Sequence, residues 1–111
     1  MKLQLVSYAD LETTSVLLVD DEPEVLSQLS KVFEDCGYEI TCAKNGTEAI
    51  DKLKLQDFDV LFTDVVMPDI SGLDLLQKAL SLRKNILVIM MSGYADIPMV
   101  RQALDGGAAD F

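Results

Sequence analysis

Four short, β-rich apolar runs, each followed by a longer stretch with helical period, restrict this chain to a narrow set of folds. "VLLV" at Val16 to Val19 precedes Glu24 to Cys36, where Val25, Leu26, Leu29, Val32 and Phe33 recur at spacings of three and four residues. Pro23 suits the first helical turn, which can spare an N–H, and Gly37 suits the residue just past the helix end. "YEITCA" alternates as a strand, and "GTEAIDKLKL" places Ala49, Ile50 and Leu53 on one face. "DVLFTD" leads through a loop bearing Pro and Gly into "LDLLQKALSL". "ILVIMMS" leads into "IPMVRQAL", where Asp96 is placed to cap and Pro98 to open a helix. Parallel neighbours need crossover helices, and continuously apolar strands imply helices on both faces of the sheet. The pattern therefore predicts an α/β fold with a mainly parallel sheet.

At 111 residues the chain makes one domain, near the small end of what buries a single core. We read residues 1–14, with "LQLVSYA" as a short strand or arm, as an amino-terminal extension and residues 15–111 as the domain. "GGAADF" reads as a turn and the opening of a fifth strand. A net charge of -10, with nine Lys and Arg spread along the chain, argues against nucleic acid as this domain's direct partner and favours cations or basic surfaces. There is no His, so Cys36 and Cys42 complete neither a Cys-His zinc site nor a Cys-His nucleophile; we expect them reduced and packed in or near the core. The longest apolar run, Ile86 to Met91, is too short to span a bilayer, and a soluble, cytoplasmic protein is the expectation.

The acids are the feature that a plain scaffold does not need. In an open parallel sheet, the loops at the carboxyl ends of the strands share one edge, where ligands bind. Asp20 and Asp21 follow strand one, Asp64 follows strand three and Ser92 follows strand four. If strands one and three are neighbours, three carboxylates meet. Such a group repels itself unless a cation is present, and Mg²⁺ suits carboxylates, a backbone carbonyl and retained waters. A carboxylate is also a competent nucleophile toward phosphorus.

The stretches "VLLVDDEPEV", "VLFTDVVMPDISGLDLL", "ILVIMMSGYAD" and "ALDGGAADF" together resemble the successive signatures of the receiver domain of two-component response regulators, from about Ser15 to Phe111. The resemblance implies a flavodoxin-like three-layer sandwich with sheet order 2-1-3-4-5. It implies that Asp64 accepts a phosphoryl group from a histidine kinase or a histidine phosphotransfer protein. Asp21 would bind Mg²⁺ directly, Asp20 through water or by shaping the site, and the carbonyl of Val66 would join Asp64 as a further ligand. Ser92 would hydrogen-bond the phosphoryl group and act with Phe111 as the switch, while Val66 and Tyr94 would tune dephosphorylation. The resulting module switches a downstream output, modifies only itself and turns over no metabolite.

In one respect the chain departs from that family. The phosphate-binding Lys lies three residues beyond the aromatic switch position, past Phe111, so strand five is expected to be incomplete and helix five absent. An uncovered apolar strip on the sheet and helix one would then favour a homodimer, segment exchange or covering by "LQLVSYA". The alternative function is a receiver-like binding or dimerisation module that needs no phosphate. A phosphatase with an aspartyl nucleophile fits poorly, because its Asp-x-Asp pattern is broken at Val66. Plainer accounts exist for single residues: Asp20, Asp21 and Glu22 as helix-start acids, Asp64 and Ser92 as turn formers, Phe111 as a core aromatic. Only their joint placement favours a site.

Overall fold

The computed structural model describes residues 14–91, 101–102 and 104–110. Its elements run β1 (Ser15–Val19), α1 (Pro23–Asp35), β2 (Glu39–Ala43), α2 (Gly46–Leu55), β3 (Val60–Asp64), α3 (Gly72–Leu82) and β4 (Leu87–Met91). The strands form one parallel sheet in the order β2-β1-β3-β4, so the chain steps outward from β1 first on one side and then on the other. Beyond β4, Asp110 makes a parallel bridge to Ile89, with Ala109 N–H donating to Val88 O at 2.7 Å and Met90 N–H to Asp110 O at 3.1 Å. The run read as opening a fifth strand thus lies beside β4. Residues 1–13 and Phe111 are outside the described residues, as are the proposed cap Asp96 and Pro98.

Alternation along the strands sorts the sheet into two unlike faces. Leu17, Val19, Leu61, Val88 and Met90 point to the face covered by α2 and α3, and together with Leu53 and Leu75 they are essentially sealed from water. The opposite face carries Val60, Phe62 and Ile89, which are only half-buried, and Leu87, which is exposed. Among the described residues, α1 is the one helix on that side, and it packs over β1 and β2. Among the described residues, coverage of both faces, expected from the apolar strands, is therefore partial over β3 and β4. An apolar groove of about 180 Å³ runs there, lined by Val16, Phe33, Tyr38, Val60, Phe62 and Ile89. Phe33 meets Phe62 edge-on at 5.5 Å and Tyr38 at 6.0 Å, contacts of the kind that add about 0.5–1.5 kcal/mol beyond area burial.

Helix α1 begins with Pro23 in its first turn, and Gly37, at φ +96°, follows its end. Of its periodic residues, Val25, Leu26, Leu29 and Phe33 are half-buried, but Val32 is 57% exposed. Cys36 also departs from expectation: as the C-cap it sits past the last turn and is exposed. Cys42, half-buried on β2, lies with its Sγ 2.9 Å from Ser30 Oγ on α1.

Candidate functional site

Strand register brings the acids together. Val19 pairs with Thr63, so Asp20 and Asp64 each leave their strands at the same level, at the carboxyl end of adjacent central strands. One carboxylate oxygen from each of Asp20, Asp21 and Asp64 lies within 4.8 Å of the others. Asp20 is buried at 4% exposure, Asp64 is half-buried and Asp21 is exposed, giving a cluster that is closed beneath and open to solvent above.

Local hydrogen bonding holds each acid in place. Asp20 N–H donates to Ala43 O at 3.2 Å, and its Oδ1 accepts from Glu22 N–H at 2.9 Å, which turns the chain into α1. Glu22 occupies the N-cap position without a side-chain capping bond. The helix-start account thus leaves the burial of Asp20 unexplained. Beyond Asp64, Val65 is buried and its N–H donates to Met91 O at 3.1 Å. Val66 is 54% exposed, and its N–H donates to Asp64 Oδ1 at 3.3 Å. Buried Thr63 donates its hydroxyl to Asp64 O at 3.0 Å. Ser92, Tyr94 and Phe111 lie outside the described residues.

The electrostatics are unfavourable for an empty pocket. Burial pushes the Asp20 carboxyl above its ordinary value; the Glu22 N–H opposes this, and the charges of Asp64, Asp21 and Glu22 add to it. Two unit charges at the cluster's outer limit of 4.8 Å repel by about 3.5 kcal/mol at an effective dielectric constant near 20. A hard cation relieves that cost, and an all-carboxylate donor set with open solvent access suits Mg²⁺, which retains several waters.

The folded chain holds the Asp20 proton more tightly than the unfolded chain does, so this group costs stability once the pH rises above its ordinary value of 3.8 and the folded carboxyl ionises. Asp20→Asn is therefore expected to raise Tm at neutral pH in the absence of divalent cations, with the gain vanishing as the pH falls to that value. Thermal melts across pH in a chelating buffer check it; a lower Tm at neutral pH would show that the carboxylate is stabilising there.

Asp69, in the loop after β3, accepts hydrogen bonds from Gly46 N–H at 3.0 Å, Thr47 N–H at 2.7 Å and Thr47 Oγ1 at 2.7 Å, joining that loop to the start of α2.

Comparison with known proteins adds to this geometry. The family model described as "Response regulator receiver domain" matches residues 16–111. The C4-dicarboxylate transport transcriptional regulatory protein DctD of Rhizobium meliloti is 33% identical over 97 residues, covering 87% of this chain and 21% of that protein. Response regulator protein TmoT of Ectopseudomonas mendocina is 35% identical over 96 residues, covering 86% of this chain and 44% of that protein. The chain thus spans less than half the length of these relatives. A receiver domain protein (CheY-like) of Methanospirillum hungatei superposes with a TM-score of 0.85 at 32% identity, covering 88% of this chain and 78% of that one. A response regulator of Burkholderia pseudomallei, whose structure holds a phosphorylated aspartic acid, a calcium ion and citrate, superposes with a TM-score of 0.83 at 27% identity, covering 87% and 57%.

Proposed function

This chain belongs to the response regulator receiver domain family, and from that membership we propose that it is a phosphoacceptor module of a two-component relay, taking a phosphoryl group onto Asp64 with Mg²⁺. Receiver domains of response regulators interact with histidine kinases, and the donor proposed here is such a kinase or a histidine phosphotransfer protein. The observation that carries the reading is the convergence of Asp20, Asp21 and Asp64 within 4.8 Å at the carboxyl end of β1 and β3.

In the transfer, a carboxylate oxygen of Asp64 forms a bond to phosphorus as the donor's P–N bond breaks. The imidazole leaves with the electron pair and takes up a proton from solvent. Asp21, Asp64 and the carbonyl of Val66 would hold Mg²⁺, with Asp20 acting through water or by shaping the site. When bound, the cation offsets charge on the transferring group and on the carboxylates around it. Buried Asp20 fixes the floor of the site, and the open side at Asp21 admits the donor. Ser92 is assigned the hydrogen bond to the phosphoryl group, Phe111 the coupled switch, and Val66 and Tyr94 the tuning of dephosphorylation. The readout passes to an output elsewhere in the pathway, in the cytoplasm. Among the described residues, no helix is long and apolar enough to cross a membrane. The test is intact-mass analysis after incubation with Mg²⁺ and a small-molecule phosphodonor: gain of one phosphoryl group is expected, and a folded chain that gains none refutes the reading.

The groove over β3 and β4 favours a second reading, a binding or dimerisation module that works without phosphate. On that reading, light scattering over a concentration series in phosphodonor-free buffer is expected to show a mass rising above that of the monomer. A constant monomer mass at high concentration counts against it.

A further inference from the structure

We propose that Asp69 is a positioning residue for the metal site: by pinning the middle of the loop between β3 and α3 to the first turn of α2, it holds the Val66 carbonyl in place and couples cation binding to that helix. The proposal rests on the phosphoacceptor reading and extends it to a residue that touches neither metal nor phosphate.

The loop is fixed at both of its ends. At one, Val65 is buried and donates to Met91 O on β4. At the other, Gly72 N–H donates to Val65 O at 2.7 Å, and Ser71 caps α3 by accepting from Asp74 N–H at 3.1 Å. Between these anchors Met67 and Ile70 are half-buried and pack against the core, which holds the segment from beneath, while Val66, Pro68 and Asp69 are exposed. Asp69 adds a polar restraint on the exposed side, tying the loop to α2.

Its carboxylate answers a need of α2. A helix begins with N–H groups that have no partner inside the helix. Asn45 Oδ1 accepts from Glu48 N–H at 2.8 Å, while the N–H groups of Gly46 and Thr47 are left to Asp69, one to each carboxylate oxygen. The Thr47 hydroxyl adds a third bond. A negative charge is also favoured at a helix amino terminus. Although its desolvation acts the other way, the bonds from the Thr47 side chain and backbone and from the Gly46 and Ile70 N–H groups hold the Asp69 carboxyl well below the usual carboxylate range.

Groups behind a metal ligand commonly contribute 10–100-fold in affinity by fixing its orientation. Coupling is reciprocal, so a clamp that aids cation binding must be tightened by the cation. Calorimetric Mg²⁺ titration of the parent chain, Asp69→Ala, Asp69→Asn and Thr47→Val, with NMR hydrogen exchange of the Gly46 and Thr47 amides, tests both directions. Asp69→Ala is expected to weaken Mg²⁺ binding about tenfold, at the low end of that range. Asp69→Asn, which keeps one acceptor oxygen, should recover part of the loss, and Thr47→Val should lose less than Asp69→Ala. At saturating Mg²⁺, phosphoryl uptake by Asp69→Ala should return to within about twofold of the parent, because the cation itself then orders the loop. In the parent, Mg²⁺ should slow exchange at both amides.

A merely structural role would lower Tm and leave Mg²⁺ affinity unchanged. A folded Asp69→Ala with parental affinity overturns the proposal, and so does amide exchange in the parent that ignores Mg²⁺, which holds even where the variant does not fold. A parent that neither binds Mg²⁺ nor takes up phosphoryl overturns the phosphoacceptor reading and the proposal with it.

Discussion

Asp64→Asn is expected to abolish phosphoryl uptake from a small-molecule donor while leaving the fold intact. The amide matches the carboxylate in size, and its oxygen can still accept from Val66 N–H, the bond that the carboxylate accepts at 3.3 Å. What disappears is the charged oxygen nucleophile. The same change removes one of the charges that push the buried Asp20 carboxyl upward, so the metal-free variant should melt no lower than the parent. The pair of readouts, circular dichroism with melting and intact mass, separates loss of chemistry from loss of structure. Equal uptake by parent and variant would place the acceptor on another residue and sink the assignment of Asp64.

Gly72→Ala should be the most disruptive single-methyl change near the site. In the interior of an ordinary helix, Gly to Ala gains about 1 kcal/mol. Here a Cβ would point into the sheet end, against Asp64 O, with Val65 Cα at 2.7 Å and Met90 Cε at 2.8 Å. The Met side chain can swing aside, but the two backbone atoms belong to the end of β3 and its loop and can yield only by displacing them. Overpacking of this kind typically costs about 1–3 kcal/mol. Over most of that range the clash outweighs the propensity gain, and a net loss of up to about 2 kcal/mol is expected in urea denaturation, together with reduced phosphoryl uptake because Asp64 is moved. A net gain in stability would show that α3 can shift away from the strand end at little cost.

Hydrophobic period was enough to read most of the architecture. The apolar runs became β1 to β4, and the helical segments became α1 to α3 within a residue or two of the expected limits. Period says nothing about which strands are neighbours, so the meeting of Asp20 with Asp64 depended on a strand order taken from family resemblance; the structure now shows that order as β2-β1-β3-β4. Pattern also misled where burial is decided by what lies opposite. Val32 fits the helical stripe yet is exposed, while Val25, Leu26, Leu29 and Phe33 on the same stripe are half-buried. Asp69 was illegible for a different reason. Its partners, Gly46 and Thr47, belong to another helix, and no local rule relates a loop acid to a helix start that far back in the chain. Ser92, Tyr94 and Phe111 fall outside the described residues, and their roles stand on resemblance.

The central place of β1 also bears on how the molecule assembles in time. Val16 pairs with Ile40 on one side and with Val60 on the other, so β1 must wait for two later segments before its hydrogen bonding is complete. Pairings between segments so distant in the chain incur loop-closure entropy before any contact compensates, which slows folding relative to helical domains of similar size. On a ribosome, the stretch from β1 to β2 would emerge with Asp20 and Asp21 in place but no third acid opposite them. The acidic cluster comes into being only when β3 docks, and it can signal nothing until the nascent chain has threaded its third strand against its first.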